Sequence, residues 1–136
     1  MLLIDNSAWS RRRKVGARDR LEEVLAAGDI VVCVPFLLEA GYSARSGAEH
    51  EALIGRLQML PRVEVTADVE RLALRAQSEL ATVGHHRLAP ADLMLAACAH
   101  HSRHGVLHYD RDYDVIAAHT SLEFASEWVA PAGTLD

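Results

Sequence analysis

Short apolar runs rich in valine and isoleucine alternate with longer segments of helical periodicity along this chain. This alternation is typical of β-α-β units, whose strands form a parallel sheet covered by helices. Strands are predicted at residues 2–5, 30–34, 63–66, 106–109 and 122–124. Helices are predicted at 18–27, from Pro35 onward, at 48–60, at 67–83 and at 91–104. The sequence therefore predicts an α/β fold with a short central parallel sheet.

The length of 136 residues and the hydrophobic content of 50% are those of one ordinary domain, which we expect to span residues 1–136. Cys33 and Cys98 lie in apolar runs without C-x-x-C spacing, so both thiols are expected to be buried and reduced. The chain shows no secretory pattern and no apolar stretch near the ~18 residues that span a bilayer. We therefore expect a cytoplasmic protein that does not enter a membrane.

Four acidic residues stand where predicted elements end or begin. Asp5 and Asp110 each follow an apolar strand, whereas Glu39 and Asp92 lie early in helices. With a strand order of 3-2-1-4-5, the strands that end at Asp5 and Asp110 are neighbours at the topological switch point, where ligand crevices form. All four carboxylates are therefore expected to meet at one edge of the sheet.

Carboxylates that meet in this way need a cation. Two of them about 4 Å apart repel by about 4 kcal/mol at an effective dielectric constant near 20. Oxygen ligands without thiolates suit Mg²⁺ or Mn²⁺, and acidic clusters that hold such ions serve phosphoryl chemistry. The pattern thus predicts a divalent-metal site for phosphodiester hydrolysis.

Four segments carry a family resemblance, in their order along the chain. They are IDNSAW at 4–9, Pro35 with Glu39, Arg87 with DLMLAA at 92–97, and HYDRDYDVIA at 108–117. Together they resemble the PIN-domain ribonucleases, and among these the VapC-type toxins most closely. The resemblance implies a three-layer α/β/α sandwich, Mg²⁺- or Mn²⁺-dependent endoribonuclease activity, homodimerisation and neutralisation by a cognate VapB-like antitoxin.

The resemblance also implies roles for individual residues. The expected catalytic residues, which match the acidic quartet of the family, are Asp5, Glu39, Asp92 and Asp110. The expected metal ligands are Asp5, Asp92, Asp110 and Asp112. Ser7 matches a hydroxyl position near the first aspartate and is expected to orient a metal ligand or a water molecule.

The net charge of −5 does not exclude RNA as a substrate. Residues 1–62 carry nine basic and eight acidic groups, residues 63–136 carry five and eleven, and two divalent cations would bring the total to −1. Arg11 and Arg12 belong to a basic run that could equally bind RNA phosphates, bind an acidic antitoxin segment or be solvated. Arg87 is expected to bind a phosphate beside the metal, with a surface ion pair as the alternative.

The acids and histidines also have simpler explanations. Asp5 could only cap the next helix, and Asp92 could only complement a helix dipole. The D-x-D-x-D run at 110–114 is not a calcium loop, because Val115 and Ser121 stand at its glycine and terminal glutamate positions. The His100 and His104 pair has the i, i+4 spacing of zinc ligands, but a helix C-terminus favours such residues without a metal.

Three other functions are consistent with parts of this pattern. A structure-specific DNA nuclease of the same superfamily shares the acidic pocket. A Mg²⁺-binding phosphoryl receiver expects paired acids after the first strand and a lysine after a late strand, but the chain has Asp5-Asn6 there and its only lysine is Lys14. A degenerate toxin retained as a binding module would not need intact carboxylates. The metal-dependent endoribonuclease is therefore the leading hypothesis.

Overall fold

A computed structural model describes residues 1–135, so Asp136, the last residue of the predicted domain, lies outside the described residues. The elements are β1 (Leu2–Ile4), α1 (Asn6–Trp9), α2 (Val15–Ala26), β2 (Ile30–Val31), α3 (Val34–Tyr42), α4 (Gly47–Leu57), α5 (Ala67–Thr82), α6 (Pro90–Ser102), β3 (Gly105–His108), α7 (Asp112–His119) and β4 (Ser126–Trp128). The helices predicted from periodicity are confirmed within three residues at their ends. Within residues 1–135, no helix is both long and apolar enough to cross a bilayer.

The four strands form one parallel sheet in the order β2-β1-β3-β4. Leu2 of β1 pairs with Ile30 on one side and with Gly105 on the other. The chain therefore moves along the sheet in one direction from β1 to β2 and in the opposite direction afterwards. The predicted parallel α/β fold is confirmed. The strands that precede Asp5 and Asp110 are neighbours in the sheet, as predicted.

The prediction of a strand at residues 63–66 is wrong. In the described chain this region makes one isolated parallel bridge, between Val32 and Arg62. Its two hydrogen bonds run from Val32 N to Pro61 O at 2.9 Å and from Val63 N to Val32 O at 2.8 Å. Pro61 has no N–H to lengthen the ladder, and β2 beside it is only two residues long. The predicted position next to β2 is right, but regular pairing stops at one bridge.

The predicted strand at 122–124 is also wrong, because the last strand lies at Ser126–Trp128. Leu122 is 3% exposed and packs in the core instead. Polar side chains stabilise the observed strand: Ser126 Oγ lies 2.7 Å from His108 Nε2, and Trp128 Nε1 donates to Asp114 Oδ2 at 2.9 Å. Apolar periodicity could not predict a strand that is positioned by hydrogen bonds from its side chains.

The helices form a layer on each face of the sheet. α3 packs against α1 and α4, whereas α5, α6 and α7 pack against one another. Because parallel crossovers are right-handed, the helices that connect β1, β2 and the bridge at Arg62 lie on one face of the sheet. The helices that follow, as the chain returns past β1 to β3 and β4, lie on the other face. The three-layer α/β/α sandwich implied by the family resemblance is confirmed.

Gly105 begins β3 at a point where neighbouring strands crowd the backbone. A Cβ at this position would lie 2.8 Å from Leu2 Cδ2 and 3.0 Å from Ala125 O. The predicted helix at 91–104 would end next to Gly105, but α6 already ends at Ser102, and Arg103 adopts the left-handed conformation with φ 60°. Gly105 is therefore required by close packing rather than by the helix end.

Replacing Gly105 with alanine is expected to lower the free energy of unfolding by about 1–3 kcal/mol, because the backbone at Ala125 must move to admit the methyl group. Gly55→Ala is the matched control. Gly55 lies inside α4, and nothing beyond the backbone of its own helix lies within 4 Å of the place that a Cβ would take. Its replacement is therefore expected to raise the free energy of unfolding by about 1 kcal/mol. Urea denaturation of both variants measures the change in the free energy of unfolding. Equal changes in Gly105→Ala and Gly55→Ala would contradict the crowding at β3.

Candidate metal centre

Asp5 follows β1 and occupies two roles at once. Its extended backbone (φ −97°, ψ 154°) makes it the N-cap of α1, and its Oδ2 accepts hydrogen bonds from Ser7 N at 2.8 Å and from Ser7 Oγ. Its Oδ1 accepts a hydrogen bond from the Tyr113 hydroxyl at 2.7 Å. With only 5% of its surface exposed, this carboxylate is held by donors from α1 and α7. The capping explanation is therefore correct, but it does not account for Oδ1.

Ser7 connects the loop after β1 with the end of β3. Its hydroxyl donates to Asp5 Oδ2 and accepts a hydrogen bond from Tyr109 N at 2.9 Å. Ser7 thereby connects β1 and β3 past the point where the hydrogen bonds between their backbones end. Ser7 thus lies where the sequence predicted a supporting hydroxyl.

Asp92 lies in the first turn of α6, which begins with Pro90. The carboxyl group is 6% exposed, and Tyr113 Oη lies 3.4 Å from its Oδ1. Burial, reinforced by the negative charges of Asp5 and Asp110, raises the pKa of Asp92 to about 8. Because four other acids act on its pKa, Asp92 is at the centre of the acidic group.

Asp110 and Asp112 stand where β3 passes into α7. Asp110 Oδ1 accepts a hydrogen bond from Asp112 N at 2.9 Å, so the first acid is fixed to the backbone at the start of the helix that carries the second. Burial raises the pKa of Asp112, and the charge of Asp110 adds to this effect. Asp92, Asp110 and Asp112 each offer an oxygen, and these oxygens lie within 4.8 Å of one another. We call these three residues the acidic trio.

Glu39 lies beside the acidic trio rather than within it. It is half-buried on α3, and burial raises the pKa of its carboxyl group, with further contributions from the charges of Asp5 and Asp110. The field of the other acids therefore reaches Glu39. The structure brings all four acids of the predicted quartet to one edge of the sheet, with Glu39 and Asp5 outside the trio.

The acidic trio fits a hard divalent cation. Two oxygens on one Mg²⁺ ion, each at about 2.1 Å, lie at most about 4.2 Å apart, so a trio whose oxygens lie within 4.8 Å of one another needs at most a small contraction. Its donor atoms are all carboxylate oxygens, which Mg²⁺ and Mn²⁺ prefer. Among residues 1–135 it is the one group of three or more metal-binding side chains close enough for a single ion. His100 instead accepts a hydrogen bond from Glu123 N at 2.8 Å and forms no such group with His104.

The arginines predicted to bind substrate have different settings. Arg11 donates to Ser7 O at 2.8 Å and lies 4.6 Å from the centre of the Tyr109 ring, next to the site. Arg12 lies over the Trp9 ring at 4.3 Å, and burial lowers its pKa. Arg87 is exposed in the loop between α5 and α6. Arg11 therefore contacts residues that adjoin the acids.

Two buried residues at the site were missed by sequence reasoning. Tyr113 has no exposed surface, and its hydroxyl faces Asp5 and Asp92. His108 is equally buried, its Nδ1 accepts a hydrogen bond from Asp110 N at 3.1 Å, and its ring lies 4.9 Å from that of Tyr113. His108 at the end of an apolar run was a usable signal, because buried polar atoms need partners, whereas Tyr113 stands between two aspartates and gave no such signal.

His108 belongs to a short hydrogen-bonded network beneath the acids. Because its Nδ1 accepts from Asp110 N, its proton is on Nε2 and is donated to Ser126 Oγ at 2.7 Å. Ser126 Oγ in turn donates to Asp114 Oδ1 at 2.6 Å. Burial lowers the pKa of His108, which keeps the ring neutral in this arrangement. Asp114 lies in the first turn of α7, and its bonds to Ser126 and Trp128 connect α7 to β4.

Comparisons with known sequences agree with this arrangement. The family model described as PIN domain matches residues 2–119. The chain is 39% identical to "Ribonuclease VapC18" of Mycobacterium tuberculosis over 97% of both chains. It is 36% identical to "Ribonuclease VapC51" of the same organism over 98% of this chain and 96% of the relative.

Comparisons with solved structures show the same fold. DNA-bound VapBC from Salmonella typhimurium matches with a TM-score of 0.72 and 16% identity, over 96% of this chain and 100% of that chain. FitAcB from Neisseria gonorrhoeae matches with a TM-score of 0.69 and 18% identity, over 93% and 96%. The fold and the site define the class of protein: an α/β/α sandwich with a cluster of acids, a candidate metal centre, at the switch point of its sheet. The chain belongs to the PIN-domain family, in its VapC branch, which confirms the resemblance found in the sequence.

Asp92→Asn is expected to be more stable than the wild-type chain at pH 8 in EDTA, with a difference that shrinks toward pH 5. In the folded chain Asp92 has a pKa of about 8, whereas the ordinary pKa of an aspartate is 3.8. Between these values the folded state holds more protons than the unfolded state, so this group lowers stability as the pH rises. Asparagine has no proton to lose.

Urea denaturation at several pH values measures this difference in the free energy of unfolding. Asp19→Asn, which makes the same chemical change at an exposed position on α2, is the matched control. A difference between Asp92→Asn and the wild type that does not change with pH would contradict the burial of a protonated Asp92.

Proposed function

We propose that this chain is a divalent-metal-dependent endoribonuclease of VapC type that hydrolyses RNA phosphodiester bonds and is neutralised by a VapB-like antitoxin. The observation that carries the proposal is the acidic trio of Asp92, Asp110 and Asp112, with Asp5 and Glu39 beside it. Relatives aligned over nearly the full length are named ribonucleases, which supports the same reaction type.

The proposed ligands of Mg²⁺, or of Mn²⁺ in its place, are Asp5, Asp92, Asp110 and Asp112. Bound metal would polarise the scissile phosphate, lower the pKa of the attacking water and stabilise the leaving oxygen. Asp110 is held in place by its bonds to Asp112 N and His108 Nδ1, and Asp5 is held by Ser7 and Tyr113. These bonds orient the carboxylates before any ion or substrate arrives.

Glu39 is proposed to orient the attacking water and to accept its proton. Its raised pKa makes the carboxylate a better proton acceptor than an ordinary glutamate, and its half-buried position on α3 leaves one side accessible. Asp5, Glu39, Asp92 and Asp110 are thus the proposed catalytic residues. Asp112 completes the metal site.

Arg11, Arg12 and Arg87 are proposed to contact RNA phosphates. Arg11 has the strongest support, because it bonds Ser7 O and packs on Tyr109 at the edge of the site. Arg87 lies in the exposed loop that leads into α6 and Asp92. Positive charge at these positions offsets the repulsion between an acidic pocket and a polyanionic substrate.

The assembly and location of the protein are proposed from its family. We propose one nuclease domain over residues 1–136, a homodimer in solution and residence in the cytoplasm, where the RNA substrate occurs. VapBC-5 from Mycobacterium tuberculosis, a structural neighbour with a TM-score of 0.66, is a member of the VapBC family of toxin–antitoxin systems, which supports a VapB-like partner. Light scattering should give twice the chain mass of 14.9 kDa for the homodimer. A mass of one chain would contradict it.

Cleavage of a folded RNA by the purified chain tests the reaction directly. With Mg²⁺ or Mn²⁺ the wild-type chain is expected to cut the RNA, and EDTA is expected to abolish cleavage. Asp110→Asn should reduce the rate by about 100-fold or more, because it removes a charged oxygen from the acidic trio. The matched control is Asp19→Asn on the exposed surface of α2, which should retain the wild-type rate.

Different outcomes separate the competing functions. Wild-type rates in Asp110→Asn, or in EDTA, would contradict the metal-dependent mechanism. Cleavage of a DNA of the same sequence in preference to the RNA would favour a DNA nuclease of the same superfamily. Binding of RNA without cleavage under all metal conditions would indicate a binding module instead.

A further inference from the structure

Tyr113 is a fully buried tyrosine whose hydroxyl lies between two of the acids. It stands in the first turn of α7, directly after Asp112. Its hydroxyl donates to Asp5 Oδ1 at 2.7 Å and lies 3.4 Å from Asp92 Oδ1. We infer that Tyr113 is a positioning residue of the metal centre, whose hydroxyl fixes the Asp5 oxygen available to the metal. This inference rests on the proposed metal-dependent function.

The hydrogen bonds of Asp5 show which oxygen remains available. An ionised carboxylate has about four sites for hydrogen bonds or metal, two on each oxygen. Ser7 N and Ser7 Oγ use both sites on Oδ2, and the Tyr113 hydroxyl uses one site on Oδ1. The remaining site is on Oδ1, the oxygen that shares the Tyr113 hydroxyl with Asp92.

The hydroxyl has one hydrogen and therefore favours one of the two acids. The distance of 2.7 Å to Asp5 is that of a good O–H···O bond, whereas 3.4 Å to Asp92 is beyond the usual range. The proton is thus directed at Asp5, and the hydroxyl oxygen lies between the two carboxylates. The hydrogen bond from Tyr113 thereby weakens the repulsion between the carboxylates of Asp5 and Asp92, and the hydroxyl sets the distance between the two groups.

The ring of Tyr113 alone does not explain a tyrosine at this position. The ring is fully buried and lies 4.9 Å from the ring of His108, and phenylalanine would fill the same volume. A buried hydroxyl destabilises the fold unless it finds a partner, and here Asp5 is that partner. The hydroxyl also joins α7, which carries Asp112, to the residue that follows β1. Removing it should free Asp5 to rotate relative to the acidic trio.

Calorimetric titration of the full chain with Mn²⁺ tests this inference without any turnover. Tyr113→Phe is expected to raise the Kd for Mn²⁺ by about 10-fold or more, in the range typical for loss of a residue that orients a metal ligand. Tyr109→Phe is the matched control for binding. It also loses a largely buried phenolic hydroxyl, but that hydroxyl accepts a hydrogen bond from Leu135 N at 2.9 Å, away from Asp5. Its Kd should match that of the wild type.

A double-mutant cycle separates positioning from a general loss of structure. If Tyr113 acts through Asp5, then Tyr113→Phe should change the Mn²⁺ Kd by less than about twofold in an Asp5→Ala background, which lacks both oxygens of Asp5 and keeps the acidic trio. An equal loss of Mn²⁺ affinity on Tyr113→Phe, with Asp5 present or replaced, would overturn the inference. So would an unchanged or lower Kd in Tyr113→Phe alone. A wild-type chain that binds no Mn²⁺ would overturn both the proposed function and this inference.

A measurement on the wild-type chain covers the case in which Tyr113→Phe does not fold. The chain has three tyrosines, so ¹³Cζ labelling of tyrosine gives three signals that single replacements of Tyr42 and Tyr109 assign. Saturation with Mg²⁺ should shift the Tyr113 signal, because its acceptor Asp5 gains the ion as a further partner, while the Tyr42 signal stays in place. A Tyr113 signal that does not move on saturation would overturn the inference.

Discussion

Repulsion between carboxylates that the fold brings together is the constraint on which the site depends. Five acids meet at the switch point of the sheet, and the strongest consequence is at Asp92, whose pKa burial and neighbouring charges raise to about 8. The folded chain must hold these carboxylates together against their mutual repulsion, and it does so with hydrogen bonds donated to the carboxylates of Asp5 and Asp110. The same repulsion is the driving force for binding a cation, because a divalent ion removes it.

Two hydrogen-bonded connections make the acidic edge rigid. Ser7 joins the end of β1 to the end of β3 through Tyr109 N, and the His108–Ser126–Asp114 network joins β3, β4 and α7. Both connections are made by side chains, because the backbone ladders of such short strands end before the site begins. The acids therefore stand on loops and helix starts that are fixed from several directions, which is what a preorganised metal site requires.

Much of this arrangement follows from the sequence. The strands before Asp5 and Asp110 were predicted because strands buried on both faces of a parallel sheet form short apolar runs. The placement of Glu39 and Asp92 near the starts of helices followed from Pro35 and Pro90. The strands at 63–66 and 122–124 were predicted by the same reasoning and are wrong, because an apolar run alone does not decide whether a segment pairs or only packs.

The sequence by itself determined the fold class, the positions of the principal strands along the chain and the identity of the acids, because these depend on local periodicity and on residue type. Only the tertiary structure decided which acids form the trio, where the last strand lies, and what Tyr113 and His108 do. The partners of these two side chains are separated from them by up to 108 residues along the chain. Hydrogen bonds over such separations are set by the packing of the helices and strands, which no local pattern records.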